Sequence, residues 1–237
     1  MLLGLLISIA LLAAGCDRQS APTNSAPRIV GSAALRGRVV LLGTAPPRAL
    51  LAESGRCCPG SPEIRDESIL AAPDGGLKNV IVYLENAPMA QPIDATTPVL
   101  DQVNCRFTPH VLAVQVGQTL RLKSSDPVMH NVHLQCQVNP DINYGFNGPG
   151  YRDISFDFPE TTFRVKCDVH PWMTAYIAVF NHPWFAITGD DGTFEIDHVP
   201  PGTYTLAAWQ EALPMQTQTI VVTDAGLANL SFTFKAP

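Results

Sequence analysis

The chain has 237 residues, 46% hydrophobic and only 15% charged. That length suggests one or two domains, and 21 Pro with 17 Gly among many short β-type runs point to a turn-rich, all-β protein. A net charge of −6, carried without any block of like sign, argues against nucleic-acid binding, which needs a basic stripe, and reads as ordinary solvation.

Residues 1–15 are an apolar run with a small-residue end, the pattern of an export signal. The run falls short of the roughly 20 residues needed to span a bilayer. Leu12-Ala13-Ala14-Gly15 followed by Cys16 resembles a bacterial lipobox. The resemblance implies lipidation of Cys16 and an exported protein of the periplasm or cell envelope, tethered to a membrane. Residues 16–29 continue as a polar, Pro-containing linker. Residues 34–43 read as a strand closed by Pro46-Pro47, and 48–76 as an irregular stretch carrying Cys57 and Cys58. Residues 77–84 form a near-continuous apolar run, as in a strand buried on both faces.

The densest chemistry lies further on. Met129-His130-Asn131-Val132-His133 supplies imidazoles, and Cys167, His170 and Met173 place a thiolate, an imidazole and a thioether within seven residues. Residues 163–166 and 174–179 read as two strands joined by that loop, with Pro171 stiffening the turn. Two His and one Cys with a weak axial Met is a type 1 copper donor set, able to hold the metal through a one-electron cycle. Taken singly, each residue has an ordinary reading: disulfide half, strand His, core-filling Met. Structural zinc is disfavoured by the thioether and the lack of a nearby second Cys. Three strong ligands and an axial Met leave no open position for substrate, so electron transfer without catalysis is expected.

Met-His-Asn-Val-His followed by Cys-x-x-His-x-x-Met resembles the cupredoxins, and the short ligand loop resembles most the amicyanin group, over residues 98–182. The resemblance implies one copper held by His130, Cys167, His170 and Met173. Met129 and Asn131 would lie beside the ligands, with Asn131 pinning the two ligand loops. The 36 residues between His130 and Cys167 make a long insert, whose turn-rich stretch 140–150 is expected to cover or flank the site. Pro127, Met129, Pro171 and Trp172 are expected to form an apolar rim around His170, where a redox partner protein of the cell envelope would dock.

With Cys16 assigned to lipid and Cys167 to metal, Cys57, Cys58, Cys105 and Cys136 remain, and an oxidising compartment suggests two disulfides. A bond between the adjacent Cys57 and Cys58 is strained, so each is expected to cross to Cys105 or Cys136. A second thiolate metal site is disfavoured because no His stands at suitable local spacing.

In the tail, residues 189–196, 199–206, 218–222 and 228–234 read as strands, the first two with clean alternation. Asp-Gly-x-Phe-x-Ile, then Pro-Gly-x-Tyr-x-Leu, resembles the carboxypeptidase-regulatory-like, or transthyretin-like, sandwich. By that resemblance residues 30–90 and 186–237 form one discontinuous Ig-like (prealbumin-like) sandwich, with a Greek-key cupredoxin, 91–185, inserted. The whole resembles bacterial exported proteins of the methylamine-utilisation type. Asp190-Asp191-Gly192 lacks the spacing of a calcium loop and reads as a hairpin turn. His110, His182 and His198 lack partners at ligand spacing and read as structural or surface residues. Three functions compete: a tethered type 1 copper electron carrier, a copper delivery or sequestration protein, and a non-redox carbohydrate- or protein-binding module.

Overall fold

The computed structural model describes residues 31–90 and 96–237. The expected leader, Cys16 and the whole linker lie outside these residues. The described residues form strands and no helix. The first four are β1 (Ala33–Leu42), β2 (Leu50–Ala52), β3 (Ile64–Arg65) and β4 (Ile81–Leu84). Then come β5 (Val99–Val103), β6 (Arg106–Thr108), β7 (Val111–Gln115), β8 (Leu120–Ser124) and β9 (His130–Leu134). They are followed by β10 (Ile142–Phe146), β11 (Gly150–Ile154), β12 (Glu160–Lys166) and β13 (Thr174–Phe180). The last are β14 (Phe185–Ile187), β15 (Thr193–Val199), β16 (Gly202–Gln210), β17 (Leu213–Val222) and β18 (Leu227–Lys235).

Sixteen of them build two sandwiches, while β2 and β3 pair as a separate two-stranded sheet. One packs the sheet β15-β1-β18 on the sheet β14-β4-β16-β17, burying Leu35, Val39, Leu84, Trp184, Phe194 and Phe232. The other packs β10-β9-β12-β13-β7 on β11-β8-β5-β6, with Leu100, Phe107, Leu122, Val132, Phe156 and Val165 at its centre. The physical cause is alternation of period two: in β15 Phe194 and Ile196 face inward while Glu195 and Asp197 face water. The turn expected at 190–192 is present, but it joins β14 of one sheet to β15 of the facing sheet and so closes no hairpin. Asp191 Oδ1 accepts from the Thr193 amide at 2.9 Å, and Gly192 takes φ +76°.

β4 is buried on both faces because it lies between the sandwiches. Val82 and Leu84 enter the first core, while Ile81 and Tyr83 meet Val111, Ala113, Ala178 and Phe180 of the other. His110 and Glu211 reinforce the seam, with Nε2 and Oε1 2.5 Å apart. Burial opposes protonation of His110, but the hydrogen bond and charge of Glu211 outweigh it and raise the pKa.

Three sequence expectations are revised. The apolar run 77–84 is strand only from Ile81, because Asn79 adopts φ +62° and turns the chain. The insert 140–150 is not simply turns: β10 pairs with β9, setting Phe146 opposite His130, and β11 pairs with β8. Cysteine pairing also differs. Cys57 bonds to Cys105, but Cys58 and Cys136 are free. Cys105 can take only one partner, and Cys136 sits among Asp141 and Glu160, where burial first and those carboxylates next push its thiol up to about 12.

Candidate metal centre

Strand register delivers the site. β12 and β13 pair down to Lys166 opposite Thr174, so residues 167–173 are the hairpin loop between them. β9 lies on the other side of β12, with Lys166 opposite His133. Continued at that register, β9 runs past the end of β12 and carries His130 alongside the loop. The loop is closed by the Cys167 amide donating to Met173 O at 3.2 Å and the Met173 amide to His170 O at 2.9 Å.

His130, Cys167 and Met173 are almost fully buried, and His170 is half-buried. His130 Nδ1 and His170 Nδ1 are 3.0 Å apart, and Cys167 Sγ lies 3.9 Å from the first and 3.8 Å from the second. A first-row ion about 2.0–2.1 Å from nitrogen and about 2.3 Å from sulfur, in a trigonal plane, needs nitrogen–sulfur edges of about 3.8 Å. The observed edges fit. The shorter nitrogen–nitrogen edge needs only a narrower angle of about 95° at the ion with the same bond lengths.

The electrostatics prepare a thiolate. Burial alone would raise the Cys167 pKa, but His130 and the amides of Asn131, His170 and Val169 overcome it and hold it below the usual value. Burial, then the neighbouring His130, lowers the His170 pKa and favours its neutral, ligating form.

Carboxylates orient the ligands. Asp126 Oδ2 lies 2.9 Å from His130 Nε2, which leaves Nδ1 to face the thiolate. Asp126 also accepts from the amides of Asn104 and Cys105, each at 2.8 Å. Those two residues form the β5–β6 turn with φ +53° and +57°. Such a conformation costs a non-glycine residue about 1–2 kcal/mol, and Asp126 offsets part of that. Asn131 Oδ1 accepts from the Asp168 amide at 2.7 Å, and its Nδ2 donates to Asn143 Oδ1 at 2.7 Å and Asp168 Oδ2 at 2.8 Å. Asn131 therefore ties β9, β10 and the 167–173 loop together. Lys166 first, with Asn131, Asn143 and His133, holds the Asp168 carboxyl well below the usual range. His133 is not part of the triangle: its two nitrogens face Asp168 and Asp141.

Pro127, Met129 and Pro171 are exposed and Trp172 is half-buried. Trp172 packs on His170 with ring centroids 5.1 Å apart, and its Nε1 donates to Cys105 O at 3.2 Å. The rim is thus partly closed by the Cys57–Cys105 bond, whose Cys57 Sγ lies 3.7 Å from His170 Nε2.

A family model described as polysaccharide lyase family 4, domain II, matches residues 183–230. No curated protein matches the chain. Among solved structures, the chain is similar to a Cu-containing nitrite reductase from Thermus scotoductus SA-01 at 21% identity and TM-score 0.34, over 40% of this chain and 24% of that one. It therefore spans about a quarter of that reductase. A purple cupredoxin from Nitrosopumilus maritimus is 22% identical with TM-score 0.29, over 34% of this chain and 95% of that one. Amicyanin from Paracoccus versutus is 16% identical with TM-score 0.32, over 41% of this chain and 96% of that one.

Sequence reasoning missed Asp126 and Asp168, and it named Cys57 only as a disulfide half, not as a neighbour of His170. Asp126 stands four residues before His130, and an acid at the mouth of a His-bearing strand is a usable signal. Nothing local announces Cys57, 113 residues from His170.

Proposed function

We propose that the chain is an exported type 1 copper protein that carries single electrons and turns over no substrate. The observation that carries this reading is the triangle of His130 Nδ1, His170 Nδ1 and Cys167 Sγ, whose edges fit one trigonal ion. Buried Met173 at the end of the same loop is proposed as the weak axial ligand. Bound copper would supply the one-electron couple. The chain's residues do the rest: the strand ends fix three donors in advance, Asp126 and Asn131 hold the imidazole and loop, and burial excludes water. His170 is the less buried imidazole, and the exposed Pro171 next to it, with exposed Pro127 and Met129 just before His130 in the chain, would offer a small apolar surface for a redox partner.

The remaining proposals rest on sequence. Cys16 would carry the lipid that tethers the protein to a membrane in the cell envelope. Residues 30–90 with 186–237 would be a carboxypeptidase-regulatory-like sandwich around a cupredoxin, 91–185. A purely adhesive module would leave the ligand triangle without a purpose. The test is the visible spectrum of the copper-loaded chain. Intense thiolate-to-copper absorption is expected with one copper per chain, and Cys167→Ser should abolish it while the fold survives. The same band in Cys167→Ser would overturn the assignment.

A further inference from the structure

Three cysteines beside the triangle carry chemistry that a single-ion electron carrier does not use. Cys57 and Cys105 are bonded, while Cys58 keeps a buried free thiol 4.0 Å from Cys105 Sγ. Cys57 Sγ lies 3.7 Å from His170 Nε2, and Cys57, Cys105 and His130 offer donor atoms within 4.8 Å of one another. In sequence these cysteines have no neighbouring His; the fold supplies two. Cys105 is held in place, since Asp126 accepts its amide and Trp172 donates to its carbonyl.

We propose that opening the Cys57–Cys105 bond creates a second metal site, selective for Cu(I), from the sulfurs of Cys57, Cys58 and Cys105 against His170. A three-sulfur site with metal–sulfur bonds of about 2.3 Å has sulfur–sulfur edges of about 4.0 Å. The Cys58–Cys105 pair already stands at 4.0 Å. Soft thiolates select Cu(I) over harder ions, and Pro59-Gly60 immediately after the pair keeps the segment a turn. The reductant is a dithiol protein. Its thiolate attacks Cys57, the more exposed of the two bonded sulfurs, and releases Cys105. Its second thiol then displaces Cys57, and the reductant departs as its own disulfide. Two electrons and two protons pass to the pair, leaving three thiols, and each thiol that ligates Cu(I) gives its proton to solvent.

The test uses Cys167→Ser, which removes the thiolate of the triangle. The variant is titrated anaerobically with Cu(I) against a chromophoric Cu(I) chelator, before and after phosphine reduction. Reduction should tighten binding of one Cu(I) at least 100-fold, and adding Cys57→Ser and Cys58→Ser should remove that gain. Free Cys136 is present in both states and cannot produce the difference. Equal affinity before and after reduction, or a gain that survives the added substitutions, would overturn the proposal. Should Cys167→Ser fold poorly, the unsubstituted chain decides: two Cu(I) reduced against one unreduced supports the site, and one in both states sinks it. Failure of the electron-carrier reading would look different, as an unreduced chain without a coloured copper form.

Discussion

Asn131→Ala probes the link between fold and metal centre. Asn131 is buried, and alanine removes its acceptor for the Asp168 amide and its donations to Asn143 and Asp168. Hydrogen bonds of this kind contribute about 1 kcal/mol each, and a stranded amide adds a similar penalty, so losing three bonds and stranding one amide should cost the metal-free chain about 4 kcal/mol. The metal should register the loss as well. Residues that orient ligands from behind typically change metal affinity about 10–100-fold, or about 1.4–2.8 kcal/mol. Urea unfolding of the metal-free chain gives the first quantity, and competition against a copper chelator gives the second. Asn131→Asp is a sharper companion: it keeps an acceptor for the Asp168 amide but sets two carboxylates in contact, so it should rescue neither quantity. A stability change under about 0.5 kcal/mol together with affinity within twofold of the parent would refute the idea that Asn131 holds the loop.

Other outcomes follow from single groups. Burial lowers the His182 pKa from 6.5 to about 4, so the folded state resists a proton that the unfolded chain accepts. Stability is therefore full above 6.5 and falls as pH drops toward 4, by about 3 kcal/mol in all; His182→Gln should flatten denaturant midpoints across that window. His110, with its raised pKa, does not interfere there: its contribution is complete below 6.5 and is lost only as pH rises through its folded value. Thiol counting on a denatured, unreduced, metal-free Cys16→Ser chain should find three reactive cysteines, Cys58, Cys136 and Cys167; finding one would restore the two-disulfide framework. Met129 is 54% exposed beside the buried His130, so Met129→Glu should slow electron exchange with the physiological partner and leave the copper spectrum unchanged. An unaltered exchange rate would remove this face from the docking surface.

The ligand loop was legible in the sequence because its information is local. Cys167, His170 and Met173 share one hairpin, and the flanking strands announce themselves by alternation. The tail strands were legible for the same reason. What stayed hidden is non-local or conformational. Asn79 breaks an apolar run through a positive φ that no hydrophobic pattern encodes. β10 is an edge strand within a stretch, 140–150, rich in Gly, Pro and Asn, so the composition imitates a turn while pairing with β9 makes it strand. The disulfide choice depended on which sulfur the β5–β6 turn presents, and that turn is fixed by Asp126 from the β8–β9 loop. The same turn brings Cys57 against His170, a contact that only the folded chain assembles.

The central claim is that His130, Cys167 and His170 hold one copper that cycles by single electrons. Spectroelectrochemical titration of the copper-loaded chain measures this directly. The thiolate-to-copper band should bleach on reduction and return on oxidation, with one electron taken up per chain over repeated cycles and no loss of metal. A copper form lacking the band, or one that releases the ion on reduction, would contradict it.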